Sequence, residues 1–462
     1  VKESPNWLVK RPIVGISRRS AVSDAQTARG FWTRVADSFL PTPTEGTKTL
    51  TVPTWLRRAT PWLIAAVLLW FVVCTIIWPV GMWMQIDLEV YRAGGLTVLD
   101  GRSLYDHPLV ASLMFTYTPF AAIIFAPLAL LPLVGTEIVY TIVTVLLLLF
   151  AVARCWRWLG YRRDRAAVGI VLLVSALALM FEPVRTTLYL GQINVLLLAI
   201  VVADLLRTRK SNWMGVGVGI AAGIKLTPLI FIPYLLLTRQ FKAAGVATAS
   251  FVGTIALGFI LKPKDAYAYW VGQKFSEVAR VGDVWSTGNQ TLRGFLARLV
   301  SPPEATQNLW VVLALVVGAL GIGAAVLAHR RGEDLLAVSL VGLCSTAVSP
   351  YSWSHHWVWF VPLFVFALHR ALTTGKASMW VLTAYVFITA FAWPVSFPVH
   401  DPAARASTGI WMIDWPGDVV TRNEYLIAYL VTAVFTLVHL RRSKVVPSTD
   451  GVIDNRDPVP SR

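Results

Sequence analysis

The stretch "MQIDLEVYRAGG" (residues 84–95) sets Asp87 and Glu89 directly behind the first long apolar run of the chain. A carboxylate beside a membrane exit is expensive unless something there uses it. A carboxylate facing a hydroxyl can take its proton as the oxygen attacks, and Asp87 is the better candidate of the two acids. Glu89 suits a supporting or solvated place, although Asp-x-Glu can also hold a divalent ion. The other uncommon polar groups fall in "FTYTPF" (115–120), "EPVRTTLYLGQIN" (182–194), Lys225, "STGNQTLRG" (286–294) and "SPYSWSHHWVW" (349–359). Acid, cation, amide and imidazole groups gathered at one place describe a site rather than solvated loops.

The elements that must gather them are membrane helices. Of 462 residues 56% are hydrophobic and 14% charged, with a mean hydropathy of +0.62. That balance indicates an all-α polytopic membrane protein. Blocks such as "WLIAAVLLWFVVCTIIWPV" are long enough at 1.5 Å per residue to cross a hydrocarbon core of roughly 30 Å, and the alternation expected of a barrel is absent. The apolar pattern predicts about twelve spans, near 62–80, 136–153, 166–182, 193–206, 213–224, 228–238, 243–261, 308–328, 335–349, 357–370, 378–394 and 425–440.

Charge orients them. The net charge is +16, but the basic clusters 154–165, 207–210, 238–242, 329–334 and 439–444 hug the ends of apolar runs. They read as positive-inside signals rather than a nucleic-acid surface, which puts both termini in the cytoplasm. Residues 1–61 then form a basic, partly disordered cytoplasmic tail, 62–440 the membrane domain and 441–462 a second tail. A full span over 117–133 would carry the 154–165 cluster outside, so that proline-rich stretch is expected to be a re-entrant or juxtamembrane helix on the outer face. "KLTP" (225–228) breaks a pair of short segments into a hairpin with Lys225 at its tip. All six polar stretches then fall on the outer side. Cys74, Cys155 and Cys344 offer neither a disulfide framework nor a metal site.

The series "DLEVYRAGG", "LYDHP", "FTYTPFAAIIFAPLALLP", "EPVRTTLYLGQINVLL", "GVGVGIAAGIKLTPLIF" and "SPYSWSHHWVWFVPL" resembles the actinobacterial polyprenyl-phosphate-mannose-dependent mannosyltransferases of the GT-C class, and among them the PimE-like α-(1→2)-mannosyltransferases of glycosyltransferase family 87. The resemblance runs from about residue 62 to 440. It departs at Thr118, where the family pattern more usually has a proline. It implies a GT-C architecture in the plasma membrane and transfer of a sugar from a lipid phosphate to a phosphatidylinositol mannoside or a lipomannan/lipoarabinomannan acceptor at the extracytoplasmic face. Mannose is the sugar implied, with a polyprenyl-phosphate-arabinofuranose donor as the alternative. The family's catalytic base matches Asp87, and a histidine of its pattern matches His355 or His356.

The chemistry of such a transfer assigns the remaining groups. Phosphate departs without a general acid, given cations near the developing charge; Arg185 and Lys225 suit that role, Arg185 equally suiting an interfacial anchor. Tyr117, Gln192, Asn194, Asn289 and Gln290 can bind sugar hydroxyls, together with Glu89, and Trp353 can stack on a sugar face. No cofactor or metal is expected, since a lipid-phosphate donor does not demand one. Membrane lipids, the lipid donor and a glycolipid acceptor are the expected partners. A secondary transporter is the main rival in another class, but transporters place their sites near the midplane and show repeated halves, which this chain does not.

Overall fold

The structure, a computed structural model, describes residues 48–77, 82–162, 164–207, 211–277, 281–300, 302–392 and 418–442. Most of the two expected tails, residues 1–47 and 443–462, lies outside the described residues. Among those described the chain is helical, and β-pairing is confined to isolated bridges.

Among the described residues four helices are long and apolar enough to cross a membrane: α1 (Thr54–Ile77), α4 (Leu133–Trp158), α10 (Phe241–Leu261) and α13 (Gln307–Arg330). Their outer faces display Val72, Ile76, Leu146, Ile260 and Leu315. Apolar surface of that extent on a helix of this length suits lipid rather than water. Helix α1 begins at Thr54 rather than residue 62, because Trp55 and Leu56 prolong the helix ahead of the apolar run. Shorter apolar helices pack beside them: α7 (Asn194–Leu205), α14 (Asp334–Val348) and α15 (Phe360–Thr374) are largely buried, while α5 (Arg165–Leu179), α16 (Ala377–Ala390) and α18 (Glu424–Arg442) also expose apolar side chains such as Leu172, Val381 and Val434.

Three local features depart from or refine the sequence expectations. The polar stretch after α5 is a nine-residue helix, α6 (Glu182–Leu190), rather than a loop. Pro183 sits in its first turn, where its missing N–H costs nothing, and Gly191 ends it at φ 75°. The 117–133 stretch forms α3 (Pro119–Phe125) and a 3-10 turn over Ala126–Leu130. Thr118 replaces proline functionally as the N-cap, its hydroxyl accepting from Ala121 N–H. The same hydroxyl donates to Gly223 O, a carbonyl left over at the end of α8 (Val216–Ile224).

The "KLTP" break folds as a hairpin. Gly215, Gly219 and Gly223 face Ala243, Ala247 and Thr254 in turn. Numbers rise together on α8 and α10, so these helices run parallel. The chain must therefore turn back between them, and it does so through a 3-10 turn at Thr227–Ile230 and α9 (Phe231–Leu237). Glycine at every fourth residue lets the two backbones meet, since a Cβ at Gly215 or Gly219 would strike a carbonyl of α10. One continuous helix over 213–238 would have brought α10 back antiparallel to α8.

Candidate functional site

Asp87 lies in the first turn of α2 (Ile86–Leu99), where the positive end of the helix dipole favours a carboxylate. Gln85 precedes that turn in the left-handed conformation. Its N–H donates to Tyr189 O at 2.6 Å and its side chain to Thr141 Oγ1 at 2.9 Å. These bonds seat the start of α2 on the end of α6 and against α4. The two glycines of the motif are packing devices: a Cβ at Gly95 would lie 2.5 Å from Phe125 O, and one at Gly94 the same distance from the Phe115 ring. Arg92 closes this contact by donating twice to Leu131 O, at 3.0 and 3.1 Å.

Gly191 brings the next group in. Its left-handed backbone passes so close to Leu88 that a Cβ would sit 2.5 Å from the Leu88 Cβ. Gln192 follows, and its Nε2 donates to Asp87 Oδ2 at 2.7 Å. Its Oε1 accepts from the hydroxyls of Tyr91 at 2.7 Å and Tyr117 at 3.0 Å. Burial raises the Asp87 carboxyl to about 6, and the Gln192 bond and the Lys225 charge oppose that rise.

Lys225 stands where α8 breaks into extended backbone at φ −144°. Its ammonium donates to Asn194 Oδ1 at 3.1 Å and pairs with His356 Nε2 at 2.8 Å, 5.7 Å from the Tyr117 ring centre. Burial pulls Lys225 down to about 7, against the pull of Asp87. The histidines lie on a 3-10 turn, Ser354–His356, with ring planes at 89°. Burial first, and the Lys225 charge second, hold both well below the usual histidine range. His356 is therefore neutral, and a protonated Lys225 donating to Nε2 leaves its hydrogen on Nδ1.

Three buried atoms around Lys225 have no hydrogen-bond partner: Asn194 Nδ2, His355 Nε2 and His356 Nδ1. The first and last are donors by the argument just given. Buried polar atoms are rarely left in this state. Of these, Asn194 Nδ2 lies on the side chain that Lys225 bonds, and with the lysine it offers donors that an anion would satisfy. Asp87, Tyr117, Lys225 and His356 are each only half-buried, so the set keeps an opening.

The structure does not bring every expected residue to this cluster. Asn289 donates to Val284 O at 2.9 Å and accepts from Ser352 N–H and the Thr291 hydroxyl. Gln290 donates to Thr287 O and Arg422 O and accepts from Tyr425 N–H. Both are fully buried, and their amides hold loops together instead of facing a sugar. Trp353 packs edge-on against Tyr351 and parallel to His355. Arg185 is 3% exposed and reaches Met82 Sδ at 3.6 Å beside Glu182, away from Lys225. Glu89 is half-buried, and no side-chain hydrogen bond joins it to the cluster.

Sequence reasoning missed Tyr91, Glu182 and Tyr425. Glu182 is wholly buried; it accepts from Thr186, Ser354 and Tyr425 at 2.7–2.8 Å. It pins the histidine turn to α6 and α18. The signal for Tyr91 was its place one helical turn after Asp87, which puts both on one face.

Residues 115–350 match the model of glycosyltransferase family 87. That segment holds Tyr117, Gln192, Asn194 and Lys225; Asp87 lies ahead of its start, and His355 and His356 lie just past its end. A polyprenol-phosphate-mannose-dependent alpha-(1-2)-phosphatidylinositol mannoside mannosyltransferase of Mycobacterium tuberculosis is 36% identical over 60% of this chain and 69% of its own. Its counterpart of the same description in Mycolicibacterium smegmatis is 34% identical, over 64% and 72%. A polyprenol-phosphate-mannose-dependent alpha-(1-2)-phosphatidylinositol pentamannoside mannosyltransferase of M. smegmatis is 31% identical, over 82% and 90%.

Proposed function

The chain belongs to glycosyltransferase family 87, and on that premise we propose that it moves mannose from polyprenyl-phosphate-mannose to a phosphatidylinositol mannoside. The observation that carries the proposal is the facing of a carboxylate and a donor-rich cation: Asp87 held by Gln192 on one side, Lys225 with Asn194 and His356 on the other. The relatives' mannose donors favour mannose over arabinofuranose.

In the proposed reaction an acceptor hydroxyl attacks the anomeric carbon while its proton passes to Asp87. The bond from that carbon to the phosphate oxygen breaks, and its electron pair leaves with polyprenyl phosphate. Lys225 and the Nδ2 of Asn194 receive the phosphate as its charge grows, with His356 Nε2 holding the ammonium in place, in a setting where such donors act strongly. The step needs no divalent ion, because the lysine and its neutral donors face a single phosphate. One displacement inverts the centre and gives an α-mannoside from a β-linked donor.

Twelve crossings, with 117–133 as an outer-face juxtamembrane helix, both termini cytoplasmic and the site extracytoplasmic, complete the reading. The positive-inside clusters support it, as does the hairpin that carries Lys225 to its tip. The test is a membrane assay in a host lacking such glycolipids, offering polyprenyl-phosphate-mannose with phosphatidylinositol mannosides of different length, or with lipomannan, and determining the anomer. An α-linked product on a phosphatidylinositol mannoside is expected. A retained anomer, or transfer only from an arabinofuranose donor, overturns the proposal.

A further inference from the structure

Gln192 offers its amide to three groups that want different things. Its Nε2 lies 2.7 Å from Asp87 Oδ2, and its Oε1 lies within 3.0 Å of both tyrosine hydroxyls. The hydroxyls are themselves 2.8 Å apart, so two hydrogens serve a triangle of three oxygens. Turning the amide over would set Oε1 against Asp87, which is tenable only when that carboxyl carries a proton. Which way the amide points is thus tied to the charge on Asp87.

Tyr91 is the buried anchor of this triangle. It is 1% exposed, stacks on Phe125 at 4.6 Å and meets Tyr117 edge-on at 5.1 Å. Packing leaves its hydroxyl only Gln192 and Tyr117 to bond. We propose that Tyr91 is a positioning residue: with Tyr117 it holds the Gln192 amide so that Asp87 is presented as an anion, with Oδ2 occupied and Oδ1 left for the acceptor hydroxyl. This rests on the reading of Asp87 as the base.

The groups that face Asp87 are the Lys225 ammonium from the tip of α8 and the phenols of Tyr91, Tyr117 and Tyr140; Glu89, two residues on along the same helix, lies on its other side. Removing the Tyr91 hydroxyl changes none of the formal charges. What it changes is the hold on the amide, whose bond lowers the Asp87 carboxyl against burial. An amide free to turn stabilises the anion less, so Asp87 must hold its proton to a higher pH.

The experiment compares the full chain in nanodiscs with Tyr91→Phe, Gln192→Met and Tyr140→Phe, measuring kcat and donor KM against pH. The wild-type acid limb is expected near pH 6. Gln192→Met moves it up by about one unit, the worth of one charge-assisted hydrogen bond. Tyr91→Phe moves it in the same direction by a smaller amount, lowering kcat and leaving donor KM as it was. Tyr140→Phe removes a hydroxyl that holds the main-chain carbonyls of Gln192 and Thr187 rather than the Gln192 amide, so it should move the limb less than Tyr91→Phe does. An unmoved limb in both Tyr91→Phe and Gln192→Met, with Asp87→Asn inactive, overturns the positioning role while the base stands. Normal transfer by Asp87→Asn removes the base, and the positioning role goes with it.

Discussion

Two carboxylates, one wholly buried and one half-buried, lie on neighbouring elements and are treated in opposite ways. Glu182, wholly enclosed, spends both oxygens on three hydroxyls from α6, the histidine turn and α18. Asp87 has a single side-chain partner, Gln192, and Lys225, whose charge it feels, stands among buried nitrogens without partners. A closed polar knot fixes shape; an open one keeps bonding capacity in reserve for something that arrives. The third knot, around Asn289 and Gln290, consumes both amides but leaves Ser352 Oγ and Arg298 Nε without partners. On the proposed function, the difference separates the residues assigned to the chemistry from those that hold them in place, which residue type alone does not.

The hardest blow to this contrast is Asp87→Asn. The amide keeps the size and can still bond to Gln192, so folding and donor binding should persist while transfer falls by about 10² to 10⁴. Initial rates and donor binding, measured on the same preparation, check this. Near-normal turnover would mean that the open knot is not where the proton goes.

Lys225→Met tests the other half of the opening. A buried ammonium bonded to an anion is worth about 1.5–3 kcal/mol, so donor affinity should weaken by roughly 10- to 100-fold. Arginine at 225 keeps the charge with altered reach and should restore part of the loss. The cation also imposes a pH window. Lys225, held near 7, loses its proton as pH rises through that value, and Asp87, held near 6, gains one as pH falls through its own. Free-enzyme kcat/KM should therefore be bell-shaped with its maximum between them, and Lys225→Arg should lose the alkaline limb.

For the closed knot the expectation reverses. Glu182→Gln trades one acceptor for a donor among three hydroxyls. It should lower thermal stability by about 1–3 kcal/mol, the cost of a buried group left unsatisfied. The folded fraction should transfer at close to the wild-type rate. A melt and an activity per folded molecule decide it: a stable protein with lost transfer would place Glu182 in the site instead.

Much of this was legible in the sequence, and the remainder was not for identifiable reasons. Hydropathy found the long helices because twenty apolar residues in a row have few alternatives. The break at "KLTP" announced the hairpin through Pro228. Asp87, Gln192, Asn194, Lys225 and His356 were visible as polar groups out of place in an apolar chain. Asn289 and Gln290 looked the same and proved to be loop clamps, since an amide reads alike in sequence whether backbone or ligand consumes it. Tyr91 and Tyr425 were hidden for the converse reason. An aromatic residue in a membrane protein attracts no notice, and what distinguishes these two is the hydroxyl at the far end.

The smallest expected effect is also the sharpest internal control, because it lies two residues from the largest. Glu89 shares the first turn of α2 with Asp87, and both feel the same helix dipole, worth about 0.3–1 kcal/mol. Two residues along a helix turn the side chain by about 200°, which takes Glu89 to the other side of α2 from the face Asp87 and Tyr91 share. Glu89 is half-buried and bonds no member of the cluster. If placement, rather than mere carboxylate content beside the membrane, makes Asp87 the base, Glu89→Gln should cost transfer no more than about fivefold, the equivalent of that dipole contribution. The acid limb should stay near 6. Rates for Glu89→Gln and Asp87→Asn across the same pH range put the two acids side by side. A loss at Glu89 as deep as that at Asp87 would show that both carboxylates face the acceptor, and the contrast between open and closed knots would no longer single out Asp87.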